Sequence, residues 1–421
     1  MTNVKDAFSN ISSAHESGNA TTAPTKSSSP PKSTTKPSSG TSGVAISYDK
    51  TTPPTIGCED IVLDLQHKLI EAYQPQLAGI RYANIFGYLE TENKGDAAIW
   101  SAQQILLSMF GITSMEACRF IDEGCDTELF KSKLDAHAPR AAILMAGGGN
   151  FNDYYHTDHP ARLKMIEQFK NYPIRAFPQS IHMTKEDTIK WTEKTFESAK
   201  DLQVCARDKP SFEWLQKEFG QQAKNVTPMK TRHIMTPDIA FMFGSRPDIR
   251  EKTEKTHDIY ILARDDKEVS AGASNLEAGN GTLPLSPTLN ATYLKIDWEL
   301  IKTPGIDEST TKDPVTGEKT TTARENGKDQ RAWAKAMHGF EMLAQAEFVI
   351  TDRLHGHIMS TILGVPHVLM DSKLKKNIYF HDTWTKDCGC TRVADNFDEA
   401  TEFARMFFEE KKQRELESGG K

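Results

Sequence analysis

The stretch best equipped for chemistry is Val349 to Pro366, VITDRLHGHIMSTILGVP, where Asp352, Arg353, His355 and His357 fall close together. It reads as a short apolar strand, a charged loop, and a helix stopped by Gly364 ahead of Pro366. The first N–H groups of a helix have no intrahelical acceptor, so an arginine and two histidines beside them make an anion site, suited to a small phosphorylated donor. A second reading stays open from these residues alone: a capped helix start whose histidines only hydrogen-bond nearby carbonyls.

Similar groups recur after other apolar runs. Asn93, Gly95 and Asp96 follow RYANIFGYL; Gly147, Gly148, Gly149 and Asn150 follow AAILMA; Gln179, Ser180 and His182 close IRAFPQSI; Arg207 and Asp208 follow LQVCA. Each set has an ordinary structural use, since glycines permit positive φ and Asp96 or Ser211 could cap a helix. Their shared place after four successive strands favours one cleft instead. In open α/β sheets the functional loops gather at the carboxyl ends of the strands.

The elements that would position these loops alternate regularly. A helix over Cys58 to Tyr73, with Ile61, Leu65, Leu69 and Ala72 on one face, precedes the first strand. AAIWSAQQILLSMFG sets Ala98, Ala102, Ile105 and Met109 in helical register, and helices follow over 160–169, 185–200 and 210–219. A second module opens with DIYILARDD, continues with TYLKIDWEL and a helix over 330–346, and ends with HVLMDS and a last helix near 399–412. Repeated strand and helix units predict parallel sheets covered by helices, in two Rossmann-like domains facing a cleft. Residues 267–289 and 303–328 lack a hydrophobic period and are expected as polar insertions outside the core.

Composition excludes several classes. With 51 basic and 58 acidic residues the net charge is -7, which argues against nucleic-acid binding, so any anion site must be built locally. No run reaches the roughly 18 to 20 apolar residues of a membrane span, and the N-terminus lacks the apolar core of a signal peptide. Residues 1–55, rich in Ser, Thr, Pro and Gly, are expected to be a disordered tail or a stem. Sequons occur at Asn10, Asn19, Asn225, Asn280 and Asn290 without fixing a compartment; cytoplasm is the default, and the Golgi lumen fits if an anchor is supplied elsewhere. None of the six cysteines forms a CxxC pair, so Cys388 and Cys390 are expected as unpaired thiols, with no metal set and no disulfide assigned.

In order and spacing, NKGD, AGGGNF, FPQSI, CARDKPS, TPDIAF and VITDRLHGHIMSTILGVP resemble the polysaccharide pyruvyl transferase family. The likeness runs from about Tyr82 to Trp384 and is most specific in its last motif; the tail and residues 303–328 lie outside it. It implies transfer of the enolpyruvyl unit of phosphoenolpyruvate to a glycan, usually as a cyclic ketal across two hydroxyls with release of phosphate. It also implies a glycosyltransferase B fold, with no required metal and no cofactor besides the donor substrate. The expected layout is an acceptor-side domain at 56–250, a donor-side domain at 251–398, and a C-terminal helix and tail at 399–421.

Phosphoenolpyruvate carries two anionic groups. Arg353, beside Leu354 and the N–H groups of Gly356 and His357, suits the phosphate, and the planar fork of Arg207 suits the carboxylate. His355 resembles the family's motif histidine and, as histidine is the side chain whose unperturbed form titrates near neutrality, suits proton transfer. Asp96 resembles the acid of the NxGD motif and is its partner as acid, base or stabiliser of a cationic centre. His182, with Asn150 and Gln179, is placed on the acceptor sugar by resemblance; terminal galactose is the expectation for eukaryotic members. His357 is expected to be structural. Two rivals remain: a nucleotide-sugar glycosyltransferase of the same fold, for which no clear acidic ribose clamp is seen, and a non-catalytic glycan-binding protein, which predicts a broken donor site.

Overall fold

The computed structural model describes residues 48–119, 125–154, 156–220, 231–266, 268–269, 276–304, 306, 310–312, 319–321 and 327–419. The sequons at Asn10, Asn19 and Asn225, residues 1–47 of the expected tail, and parts of both polar insertions lie outside them.

The first sheet contains β1 (Tyr82–Tyr88), β2 (Thr113–Arg119), β3 (Ala141–Met145), β4 (Gly148–Asn152), β5 (Pro173–Ala176), β6 (Gln179–His182), β7 (Asp201–Ala206) and β8 (Arg232–Met235). Its order is β2-β1-β3-β5-β7-β6-β4, with β8 also on β7, and its registered pairs are parallel. The second sheet contains β9 (His257–Leu262), β10 (Gly279–Ser286) and β11 (Leu289–Lys295). A small ribbon of β12 (Thr310–Lys312) and β13 (Lys319–Thr321) stands apart, and β14 (Ala346–Thr351), β15 (His367–Met370) and β16 (Thr391–Ala394) complete the second sheet. There the order is β10-β11-β9-β14-β15-β16, parallel except for the β10–β11 hairpin. Every residue of β3 is buried, as expected of a strand covered on both faces.

The helices are α1 (Glu59–Gln76), α2 (Lys94–Met109), α3 (Thr127–Ala136), α4 (Asp158–Gln168), α5 (Glu186–Ser198), α6 (Lys209–Phe219), α7 (Pro247–Lys252), α8 (Lys328–Ala344), α9 (Leu354–Leu363), α10 (Lys376–Phe380) and α11 (Phe397–Ser418). None is long and apolar enough to cross a membrane among the described residues. Ala98, Trp100 and Leu106 of α2, Phe241, Phe340 of α8, and Met359 and Ile362 of α9 belong to one core that touches both sheets. Burial of each large side chain there contributes about 1.5–3 kcal/mol.

Several expectations need correction. The turn expected at 147–150 is mostly strand: β4 begins at Gly148 (φ 136) and pairs with β6. Part of the insertion expected at 267–289 forms β10, because β11 offers it an antiparallel edge. On α1 the buried face is Val62, Leu65, Leu69 and Tyr73, one step from the predicted stripe. On α2 Met109 is 40% exposed, while Ala98, Ala102 and Leu106 are enclosed; the helix lies between its sheet and α8, so burial extends almost all round it.

The expected tail ends earlier than 55. Tyr48 Oη donates to Asp382 (2.6 Å), Arg392 Nε donates to the Thr52 carbonyl (3.0 Å), and Thr55 N donates to the Gly389 carbonyl (2.8 Å). Residues 48–58 therefore form a strap over the second sheet. Contrary to the absence of disulfides expected from spacing, Cys58 pairs with Cys388 and Cys118 with Cys125. Partners separated by 330 residues leave no local signal.

Candidate active site

A cavity of about 300 Å³ opens where both sheets present their carboxyl ends. Asn93 reaches it from the loop after β1 and Asp96 from the first turn of α2, Gly148 to Asn150 from the region after β3, and Arg207 from the end of β7. The second sheet contributes Arg264, Asp266 and Glu268 after β9, Trp298 and Glu299 after β11, Arg353 to His355 after β14, and Lys376 after β15. A larger cavity of about 430 Å³ lies between α11 and residues 54–56, away from these strand ends.

Two helix N-termini meet at this cavity. Asn93 caps α2 by accepting from Gly95 N (3.0 Å), so Asp96 is not the cap and its carboxyl has no hydrogen-bond partner among the described residues. Gly95 packs so tightly on His355 that a Cβ there would lie 2.6 Å from the histidine's own Cβ. Opposite it, Thr351 Oγ1 accepts from Arg353 N (3.1 Å) and fixes the entry into α9. Helix α9 ends in a Schellman motif: Gly364 adopts φ 66 and Val365 N donates to the Ser360 carbonyl (2.9 Å). His357 N is engaged by the Arg353 carbonyl (3.1 Å), correcting its expected donor role, and the N–H groups left without an intrahelical acceptor are those of Leu354, His355 and Gly356.

The cationic side chains are held by carboxylates. Arg207, buried, donates to Asp238 (2.7 Å) and through Nε to Ser180 (2.9 Å). Arg353 pairs with Asp297 and, at 3.0 Å, with Glu299. Arg264 donates to Asp266, and Lys376 donates to Glu268 (2.5 Å). Burial pushes the Lys376 ammonium down to about 8, with Glu268 opposing the shift and Arg264 and Arg207 adding to it.

His355 Nε2 lies 3.4 Å from Asp238 Oδ2, close enough for a carboxylate to orient the ring. Burial opposes ionisation of Asp238, but His355 and Arg207 outweigh it and hold the carboxyl below the usual range. Asp96 behaves oppositely. Burial raises its carboxyl, and the nearby His355, Arg353, Lys376 and Arg207 only partly offset that. The carboxyls of Asp96 and Asp238, both under the influence of His355, are thus shifted in opposite directions, an arrangement that acid–base chemistry uses.

The residues expected on the acceptor side separate. Asn150 lines the cavity, with Oδ1 accepting from Arg162 (2.9 Å) and Nδ2 without a hydrogen-bond partner among the described residues. Gln179 does not line it: the side chain is fully buried, donates to the Ala146 carbonyl and lies behind Asn150 near Arg162. His182 is exposed at the end of β6, outside the cavity wall. His357 is fully enclosed, with Nδ1 2.7 Å from His367 Nε2 and Nε2 2.8 Å from Thr385 Oγ1, and burial keeps its ring neutral.

The structure brings together Asp96, Asn150, Arg207, Arg353, Leu354 and His355, and adds Arg264, Glu299 and Lys376. Asp238 carried a signal, since it lies in the TPDIAF segment that follows a strand. Lys376 had none, sitting in a polar stretch whose depth depends on folding.

Fold and cleft define an α/β protein whose polar groups converge where its parallel strands end. The chain belongs to the polysaccharide pyruvyl transferase family, the description of the family that matches residues 93–373, and it is thus a transferase with a glycan acceptor. It is 30% identical over 357 residues to pyruvyl transferase 1 of Schizosaccharomyces pombe, covering 84% of this chain and 82% of that one. It is also similar to the putative pyruvyl transferase EpsO of Bacillus subtilis, 26% identical over 271 residues, which cover 62% of this chain and 74% of EpsO.

Proposed function

We propose that the protein transfers the enolpyruvyl group of phosphoenolpyruvate to two hydroxyls of a glycan sugar, a terminal β-galactose, forming a pyruvate ketal and releasing phosphate. The observation that carries this reading is the convergence of Asp96, Arg207, Arg353 and His355 on one cavity at the start of α9. The donor phosphate lies against Arg353 and the free N–H groups of α9, and its carboxylate lies between Arg207 and Lys376. Asp96, whose carboxyl burial raises, delivers a proton to the methylene carbon and leaves an oxocarbenium-like centre at the adjacent carbon. His355, oriented by Asp238, takes the proton of the attacking sugar hydroxyl. Attack by the second hydroxyl at the same carbon, its proton passing to the Asp96 carboxylate, expels phosphate, which leaves with the proton held by His355, and closes the ketal.

The two sheets with loops facing one cavity support a glycosyltransferase B type layout, the first sheet carrying the acceptor side and the second the donor phosphate. His182, exposed at the end of β6 and outside the donor cavity, contacts the acceptor, so its substitution changes preference among acceptors more than it changes donor affinity. The test offers phosphoenolpyruvate and a panel of β-galactosides and follows phosphate and product mass. Phosphate release matched by a pyruvate-ketal mass gain is expected. Turnover of a sugar nucleotide with no use of phosphoenolpyruvate overturns the reading.

A further inference from the structure

Beneath α9, on the side away from the cavity, three sulfur atoms meet. Cys58 comes from the strap, and Cys388 and Cys390 flank Gly389 in the turn before β16. Their sulfur atoms all lie within 4.8 Å of one another. Cys58 and Cys388 are joined as a disulfide, and the Cys390 sulfur lies 3.3 Å from that of Cys388. His367 Nδ1 lies 3.9 Å from the Cys390 sulfur. The strap is fitted closely to this turn, because a Cβ on Gly389 would lie 2.7 Å from Thr55 Oγ1.

A zinc ion with Zn–S bonds of about 2.3 Å keeps tetrahedral ligand atoms about 3.8 Å apart. The Cys388 and Cys390 sulfurs are 3.3 Å apart and all three sulfurs lie within 4.8 Å, a range that includes that value. We propose that the reduced cluster is a metal site, in which Cys58, Cys388 and Cys390 hold a thiophilic divalent cation, zinc by the character of the donors, with water in the fourth position. Two electrons and two protons from a dithiol reductant open the Cys58–Cys388 bond. With Cys390 this gives three thiols, and the ion displaces their three protons.

The surroundings suit the ion. Three thiolates leave the zinc centre with one net negative charge, and Arg392, which donates to the Gly389 carbonyl (3.2 Å), and Arg250, which donates to the Gly364 carbonyl (3.0 Å), bring positive charge to its edge.

The test reduces the full chain with a dithiol in the absence of oxygen and adds cobalt(II) as a spectroscopic probe. One equivalent is expected to bind, with sulfur-to-cobalt charge transfer and the visible bands of a tetrahedral thiolate site, and zinc is expected to displace it. Cys390→Ser should abolish the signal, whereas Cys205→Ser and the paired change Cys118→Ser, Cys125→Ser should keep it. Because Cys390→Ser could fail to fold, the unfolding temperature of the reduced wild-type chain is also compared with and without added zinc, and it should rise with zinc. The proposal is overturned by no thiolate–cobalt signal, by a signal that survives Cys390→Ser, or by movement of the disulfide to Cys388–Cys390 without metal uptake.

Discussion

Each cation of the cleft arrives already holding a carboxylate: Arg207 on Asp238, Arg353 on Asp297, Arg264 on Asp266 and Lys376 on Glu268. Such pairing fixes the side chains but spends part of their charge, so an incoming anion depends on the groups least firmly neutralised. Lys376 is the most tunable of them, because burial brings its ammonium down to about 8. Its charge is present below that pH and lost above it. Affinity for phosphoenolpyruvate should therefore fall as pH rises through about 8, and Lys376→Met should weaken binding and flatten that fall. Isothermal titration across this range checks it; an unchanged pH profile in the variant counts against the role. Asp96, Arg207, Arg353 and His355 were legible in the sequence because each follows an apolar strand in a recognisable motif. Lys376, Asp297 and Glu299 were not, because their partners are set by how the second sheet's loops fold over one another. Gln179 sits in such a motif too, yet turns inward to bond the Ala146 carbonyl.

At the scale of elements, the site is the meeting of the α2 and α9 N-termini. Alanine ordinarily favours a helix over glycine. At Gly95 the added methyl would sit 2.6 Å from His355, so Gly95→Ala must push the two helices apart. The expected cost is about 1–3 kcal/mol, as for other overpacked interiors. A lower thermal midpoint together with lost transfer activity is the expected result; an unchanged midpoint would show that the helices have room. Strand and helix alternation, and the stop of α9 at Gly364, were readable because period and turn chemistry are local. The buried face of α2 was not, since a helix enclosed by both sheet and α8 has no clean polar side to reveal it. Strand β4 was missed because a glycine run carries no β signal, and its pairing with β6 is a tertiary fact.

Over the whole molecule, a chain with a net charge of -7 concentrates arginine and lysine at one junction of two sheets, and a strap over 48–58 fastens the N-terminal end of α1 to the second sheet. Neither that long-range closure nor the shared core could be read from spacing. The central claim is that this junction is a single donor site in which binding and proton transfer are done by different residues. His355→Ala tests it most directly, by comparing phosphoenolpyruvate binding with transfer to a β-galactoside in the same preparation. A positioned acid or base contributes on the order of a hundred- to ten-thousand-fold. The account predicts a loss of that order in transfer, with donor affinity close to wild type and the fold intact. Transfer at near wild-type rate would contradict it.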